Sequence, residues 1–550
     1  MHAAYFTVLA RGMSGELERL SGDEVLEHLD NHRSQLLLDT SLCSCYAARL
    51  AAEPGLGSKP RMVAALAALL AKRLRLEPFD EQAARALARI AGDNEAAVRA
   101  DLLASLNAEP DGLKDILALD EPDERLETEP VLRTLLRVYP SYVQVADLLL
   151  DLDLRRGRAP GDWLASFRCP GPLEAAWRAR LFAHHATLGL RAGADALWAG
   201  LPQAVRDETL CNLAASLRLS AGEYEAAASM LRASLALDPS QTPIALRLAE
   251  LDRPTPLDPA LIRDRSVVVC LYTFNKAALL ERTLASLAAS DLGAAKVRLL
   301  LNGCSDHSRR VADTARALFP DNDFQVVDLP VNVGAPAARN WLAALPECRE
   351  ADSVAYLDDD VEIPADWLGR FLSVAEADPG IGVVGCKVLD PGNPARLQYL
   401  YRNVALARPD LFKLSIHAPV GALDLGLYDY TRETMSVMGC CHLLRGRALR
   451  ELPGFDIRFN PSQGDDLDHD LAACLAGWRV VYTGTVACVH HQAAGFSGTG
   501  AVERKRAGNI IGNDLKLCAK HMEHLDRLRE LAFEDRERAR NGADWRGSQA

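Results

Sequence analysis

Three consecutive carboxylates, Asp358-Asp359-Asp360, follow the apolar run Val354-Ala355-Tyr356-Leu357. Like charges this close repel one another and resist burial, so a fold that keeps them needs a counter-charge. Hard divalent ions such as Mg²⁺ and Mn²⁺ prefer carboxylate and phosphate oxygens. The apolar run reads as a buried strand, and open α/β sheets bind ligands at the carboxyl ends of their strands. The pattern points to a cation, or a metal carried by a polyphosphate, held at a strand end. The structural alternative is a row of turn or helix-capping carboxylates.

The elements around the cluster alternate. Val267–Leu271 reads as a buried strand, followed by a loop and a helix over Lys276–Ala289. Val297–Leu301 and Gln325–Leu329 read as two more strands, and a helix near Ala335–Leu345 precedes the strand that ends in the aspartates. Strands alternating with helices imply parallel βαβ units. Several further motifs follow in order: Thr273-Phe274-Asn275, Asn302-Gly303-Cys304, Asn332-Val333-Gly334 leading to Arg339, Gly464-Asp465-Asp466-Leu467-Asp468, and Val489-His490-His491.

In that order, residues Ser266 to His491 resemble a family 2 glycosyltransferase with the GT-A fold, an α/β, Rossmann-like and mostly parallel sheet. The resemblance implies a nucleotide-sugar donor, a divalent metal (Mn²⁺ or Mg²⁺), and inversion at the anomeric carbon by direct displacement. Charge builds on the leaving diphosphate, and a carboxylate-held cation can neutralise it. By the same resemblance Asp358 and Asp360 form the metal and nucleotide pair, and His490 completes the metal shell. Asp466, second of an acidic pair at a helix start, is the base for the acceptor hydroxyl. Thr273, Asn275 and Arg339 hold the nucleotide. Asp468 matches a further acid that shapes the site. Against these roles stand plainer ones: carboxylates favoured by a helix N-terminus for Asp466, a packed histidine for His490, a surface ion pair for Arg339.

Three departures from the family pattern stand out. Leu301 occupies the place of an aspartate that reads uracil, with Asn302 as a possible substitute. Asp465 replaces the usual glutamate, and Ala472 stands where arginine is common. The cysteines of Gly439-Cys440-Cys441-His442 read as packing residues.

The rest of the chain bounds these expectations. With 550 residues it exceeds a single core. A net charge of −13 argues against a nucleic-acid-binding surface as the main function. No apolar stretch approaches the roughly 20 residues needed to span a bilayer. Thirteen cysteines with no Cys-x-x-Cys pair read as free thiols in a reducing cytoplasm.

Residues 1–251 read as successive helices rich in alanine and leucine. Within them, Asn212–Leu217, Gly222-Glu223-Tyr224 and Leu237-Asp238-Pro239 resemble one tetratricopeptide (TPR) repeat. Pro254, Pro256 and Pro259 mark a linker over 252–264. The transferase domain is expected over 265–500 and a charged, helical C-terminal tail over 501–550. Stacked repeats present surfaces to proteins, so a protein acceptor or partner is one expectation. A scaffold with a degenerate transferase half is the main rival. A nucleotidyltransferase is a third reading, which the loop Thr273-Phe274-Asn275 does not suit.

Overall fold

The computed structural model describes residues 11–106, 128–392, 395–408, 411–416, 419–491, 504–541 and 545–546. The chain divides into two compact units, Phe6–Gln241 and, essentially, Thr242–Ala550.

The first unit is helical. Its helices start where short acceptors can hold exposed backbone N–H groups: Asp39, Asp80 and Asp207 each cap the amide three residues on, and Ser21 with Glu24 forms a capping box. Their apolar stripes build the core, as with Met62, Leu66, Leu69, Leu70 and Leu74 on the helix Pro60–Leu76. Helices Glu174–Thr187 and Glu208–Leu219 begin 34 residues apart. Arg191–Gly200 and Tyr224–Leu237 begin 33 apart. Gly222, at φ 72°, makes the left-handed turn between Glu208–Leu219 and Tyr224–Leu237.

The second unit is built on a mixed sheet. Its strands are β1 Val267–Thr273, β2 Lys296–Asn302, β3 Phe324–Leu329, β4 Ser353–Leu357, β5 Val361–Glu362, β6 Ile381–Asp390, β7 Arg396–Tyr399, β8 Arg402–Arg408, β9 Leu411–Ile416, β10 Thr431–Thr434, β11 Cys441–Arg445 and β12 Arg479–His490. The main path runs β10-β12-β6-β11-β4-β1-β2-β3, while β8 and β9 form a separate hairpin. β1, β2, β3 and β4 are parallel, β12 is parallel to β6, and β11 runs against both β4 and β6. The carboxyl ends of β1, β2, β4, β6 and β12 therefore open on one edge. Continuous apolar runs fit strands covered on both faces. Val269, Leu271, Leu299, Leu357 and Val384 pack with Leu280 and Leu284 of the helix Ala277–Ala288, and with Trp367 and Phe371 of the helix Trp367–Glu376.

The charged C-terminal segment packs into this unit. On the helix Leu525–Arg540, Leu525, Leu528, Ala532, Asp535 and Ala539 are buried, a helical stripe hidden among charges. Leu517, Leu525 and Leu528 join Phe459, Leu467 and Leu471 in one cluster. Asp535 accepts from Arg432 and Asn403 in the interior.

Candidate active site

The shared sheet edge explains how distant residues meet. Asp358 follows β4, and its N–H donates to Cys440 O (2.8 Å) just before β11. His490 ends β12 opposite Val361 of β5, and His491 N–H donates to Asp360 O (2.9 Å). That register brings the imidazole to the aspartates.

Asp358, Asp360 and His490 each offer a ligand atom, and all three atoms lie within 4.8 Å of one another. Gln398 Nε2 donates to Asp390 Oδ1 (2.7 Å) and His490 O (3.3 Å), so its Oε1 faces His490 Nδ1 as an acceptor at 2.6 Å. Nδ1 must then carry a proton. Nε2 lies 3.1 Å from Asp360 Oδ1, a buried oxygen that satisfies no hydrogen-bond geometry among the described residues. A buried lone pair opposite a buried oxygen calls for a proton or a cation between them. Two carboxylates and an imidazole suit Mn²⁺ better than Mg²⁺, so the residues fit a divalent ion.

The remaining charge is balanced by side chains. Lys276 Nζ reaches Asp359 Oδ1 (3.0 Å) and Asp360 Oδ2 (2.9 Å). Burial pushes the Asp360 carboxyl up, and the charge of Lys276 works against it. Asp359 is turned to Lys276 and stays outside the three-residue cluster.

Arg339 connects the cluster to the acidic pair. Its guanidinium is 4% exposed and lies 5.4 Å from the ring centres of both Tyr272 and Phe455. It donates to Asp465, to Gly439 O (3.1 Å) and, at 3.4 Å, to Asp358 Oδ1. Tyr272 OH donates to the same Asp358 oxygen (3.0 Å). Burial raises the Asp465 carboxyl to about 6 even against the Arg339 charge.

Asp466 is half-buried at the start of the helix Asp465–Leu475, and accepts from Gly439 N–H (2.9 Å) and Leu467 N–H (2.8 Å). A Cβ on Gly439 would meet Asp466 Cβ at 2.8 Å and Arg339 Nη2 at 3.0 Å, so this glycine permits the close approach. Asp358, Arg339, Gly439 and Asp466 thus form one continuous chain of contacts.

Other expected site residues lie further from solvent or are committed to the backbone. Thr273 is fully buried. Asn275, at φ 54°, accepts from Ser305 N–H (2.8 Å) and fixes the loop after β2. Asn302 donates to Asn332 Oδ1 (3.0 Å) and accepts from Val333 N–H (2.9 Å), while Leu301 is buried in β2. Asp468 turns to Lys520 (2.6 Å) and His521 (2.9 Å) on the C-terminal segment. From the helix Arg504–His521, Asn513 donates to the carbonyls of Phe459, Ser462 and Gln463, bracing the loop before Asp465.

Residues 264–509 match the family model described as "Glycosyltransferase like family 2". Over 171 residues the chain is 31% identical to the O-antigen biosynthesis protein RfbC of Myxococcus xanthus, covering 30% of this chain and 12% of that protein. Over 224 residues it is 24% identical to the glucosyl-dolichyl phosphate glucuronosyltransferase of Haloferax volcanii, covering 40% of this chain and 66% of that protein. The chain thus spans only part of either relative. Among solved structures, GalNAc-T7 with UDP, GalNAc and Mn²⁺ aligns at 14% identity over 46% of this chain and 48% of that one, with a TM-score of 0.37. The mannosyltransferase PcManGT from Pyrobaculum calidifontis aligns at 18% identity over 58% and 88%, with a TM-score of 0.32.

Lys276, Gln398 and Tyr272 were not among the residues expected at the site. Lys276 directly follows the strand-end loop, a position that places a cation within reach of the neighbouring strand end. Gln398 offers no local signal, because its role comes from the pairing of β7 with β6.

Proposed function

We propose that this protein is a metal-dependent, inverting glycosyltransferase that moves a sugar from a nucleotide-sugar donor to an acceptor hydroxyl. The observation that carries the reading is the convergence of Asp358, Asp360 and His490 on one point, inside a segment matching a glycosyltransferase family model. Asp358, Asp360 and His490 would hold the divalent ion, which when bound supplies positive charge for the departing diphosphate.

The protein's own groups do the rest. Asp466 takes the proton from the acceptor hydroxyl, and two backbone N–H groups fix its carboxylate. Arg339 holds the acidic pair and the metal cluster in one register through Asp465, Gly439 and Asp358. Tyr272 and Arg339 together limit how far Asp358 can turn. The helical unit, read as a TPR-like array, has the proposed role of recruiting the acceptor, an argument from domain company.

The test is Asp466→Asn with the purified protein, Mn²⁺ and a panel of nucleotide sugars. Donor binding should persist while transfer falls by a factor of about 100 or more. Undiminished transfer by the variant would remove Asp466 as the base, and donor binding indifferent to EDTA would remove the metal.

A further inference from the structure

The series Asp390, Gln398, His490, with Asp390 half-buried and the other two buried, reaches the cluster from strands β6, β7 and β12. Gln398 is 2% exposed and His490 6% exposed. The amide cannot turn over freely: its Nε2 has acceptors in Asp390 Oδ1 and His490 O, and a flip would set its oxygen against both. With Oε1 facing Nδ1 at 2.6 Å, the imidazole is fixed as the Nδ1–H form, with its Nε2 lone pair toward Asp360. A ring nitrogen aimed by its other nitrogen's hydrogen bond is how proteins set the basicity and direction of a histidine ligand.

We propose that Gln398, itself oriented by Asp390, is a positioning residue that makes His490 a nitrogen donor and so sets the site's preference for Mn²⁺ over Mg²⁺. The inference rests on the metal role assigned above to Asp358, Asp360 and His490. The physical reason is ligand chemistry: imidazole nitrogen is acceptable to Mn²⁺ and poorly matched to Mg²⁺, which favours oxygen. Removing the acceptor that holds Nδ1–H frees the ring to adopt the other tautomer, whose Nε2–H cannot bind a cation.

The experiment measures Mn²⁺ and Mg²⁺ binding to the full chain with a nucleoside diphosphate present, and reads nitrogen coupling to bound Mn²⁺ by pulsed electron paramagnetic resonance. One variant is compared with wild type, and its native folding is checked by circular dichroism. Gln398→Leu removes the acceptor. Wild type should show nitrogen coupling. Gln398→Leu should lose it and bind Mn²⁺ about 10-fold more weakly, with Mg²⁺ binding little changed. Mn²⁺ bound without nitrogen coupling in wild type, or coupling and selectivity unchanged in Gln398→Leu, would overturn the role of Gln398 while leaving a bound ion at the cluster. No Mn²⁺ binding at all in wild type would instead overturn the metal reading itself.

Discussion

The guanidinium of Arg339 is buried against the carboxylate of Asp465, 126 residues further along the chain. A planar group with donors on two nitrogens can serve Asp465, Gly439 O and Asp358 together, whereas a lysine ammonium cannot span them. Breaking one partner of such a pair leaves a buried charge uncompensated, which typically costs about 3–5 kcal/mol. Arg339→Met and Asp465→Leu, made singly, should therefore each lower unfolding stability by a few kcal/mol and reduce transfer. Arg339→Met with Asp465→Leu should recover much of the stability and none of the activity. Urea unfolding and transfer assays on the single and double variants check this; additive losses would show that the two side chains are not coupled.

A second expectation concerns the helical unit and pH. His184 is 2% exposed, and neither ring nitrogen has a hydrogen-bond partner among the described residues. Burial holds its pKa down at about 4, against an ordinary 6.5. The folded state thus binds fewer protons than the unfolded chain between these values, and the native state loses stability as pH falls through that window. Between pH 7 and pH 5 the loss should be about 2 kcal/mol from this group. In His184→Phe this part of the slope should vanish. Denaturant unfolding at both pH values is the measurement, and an equal slope in wild type and variant would exclude His184 as the source.

The sheet and its sequence of strand-end motifs were readable because each depends on local pattern. Val354–Leu357 announces a buried strand, and three aspartates announce a charged strand end. The cluster that gathers Asp358, Asp360 and His490 depends on the pairing of β5 with β12, and from the sequence those three residues are named together only through the family resemblance. Gln398 was not readable, since a polar residue on a short strand acquires meaning only from register. The C-terminal segment read as a charged tail because Leu525, Leu528 and Ala532 form a narrow stripe within an otherwise charged helix. Asn302 stands at a strand end by position, and only the structure shows that its amide is shared between Asn332 and Val333. Local sequence marks where polar groups cluster; it does not show which of them the backbone has already claimed.

Lys276 offers the third expectation. Its ammonium, between Asp359 and Asp360, is the cation nearest the triple aspartate. Its pKa stands well above the ordinary lysine value, because the two carboxylates outweigh its own burial. Replacing it with methionine removes a favourable charge from the metal-free site and leaves Asp359 buried without that partner. The metal-free protein should lose about 1–2 kcal/mol, a figure reduced because the ammonium is partly solvated. The same change strips a competing charge from Asp360, so Mn²⁺ should bind the nucleotide-free variant several-fold more tightly by Coulomb's law at short range. Unfolding in EDTA and calorimetric titration with Mn²⁺ measure the two effects. If Lys276 only shields the aspartates, stability and metal affinity must move in opposite directions. A variant that loses both would mean that the ammonium holds the carboxylates in a geometry the ion needs.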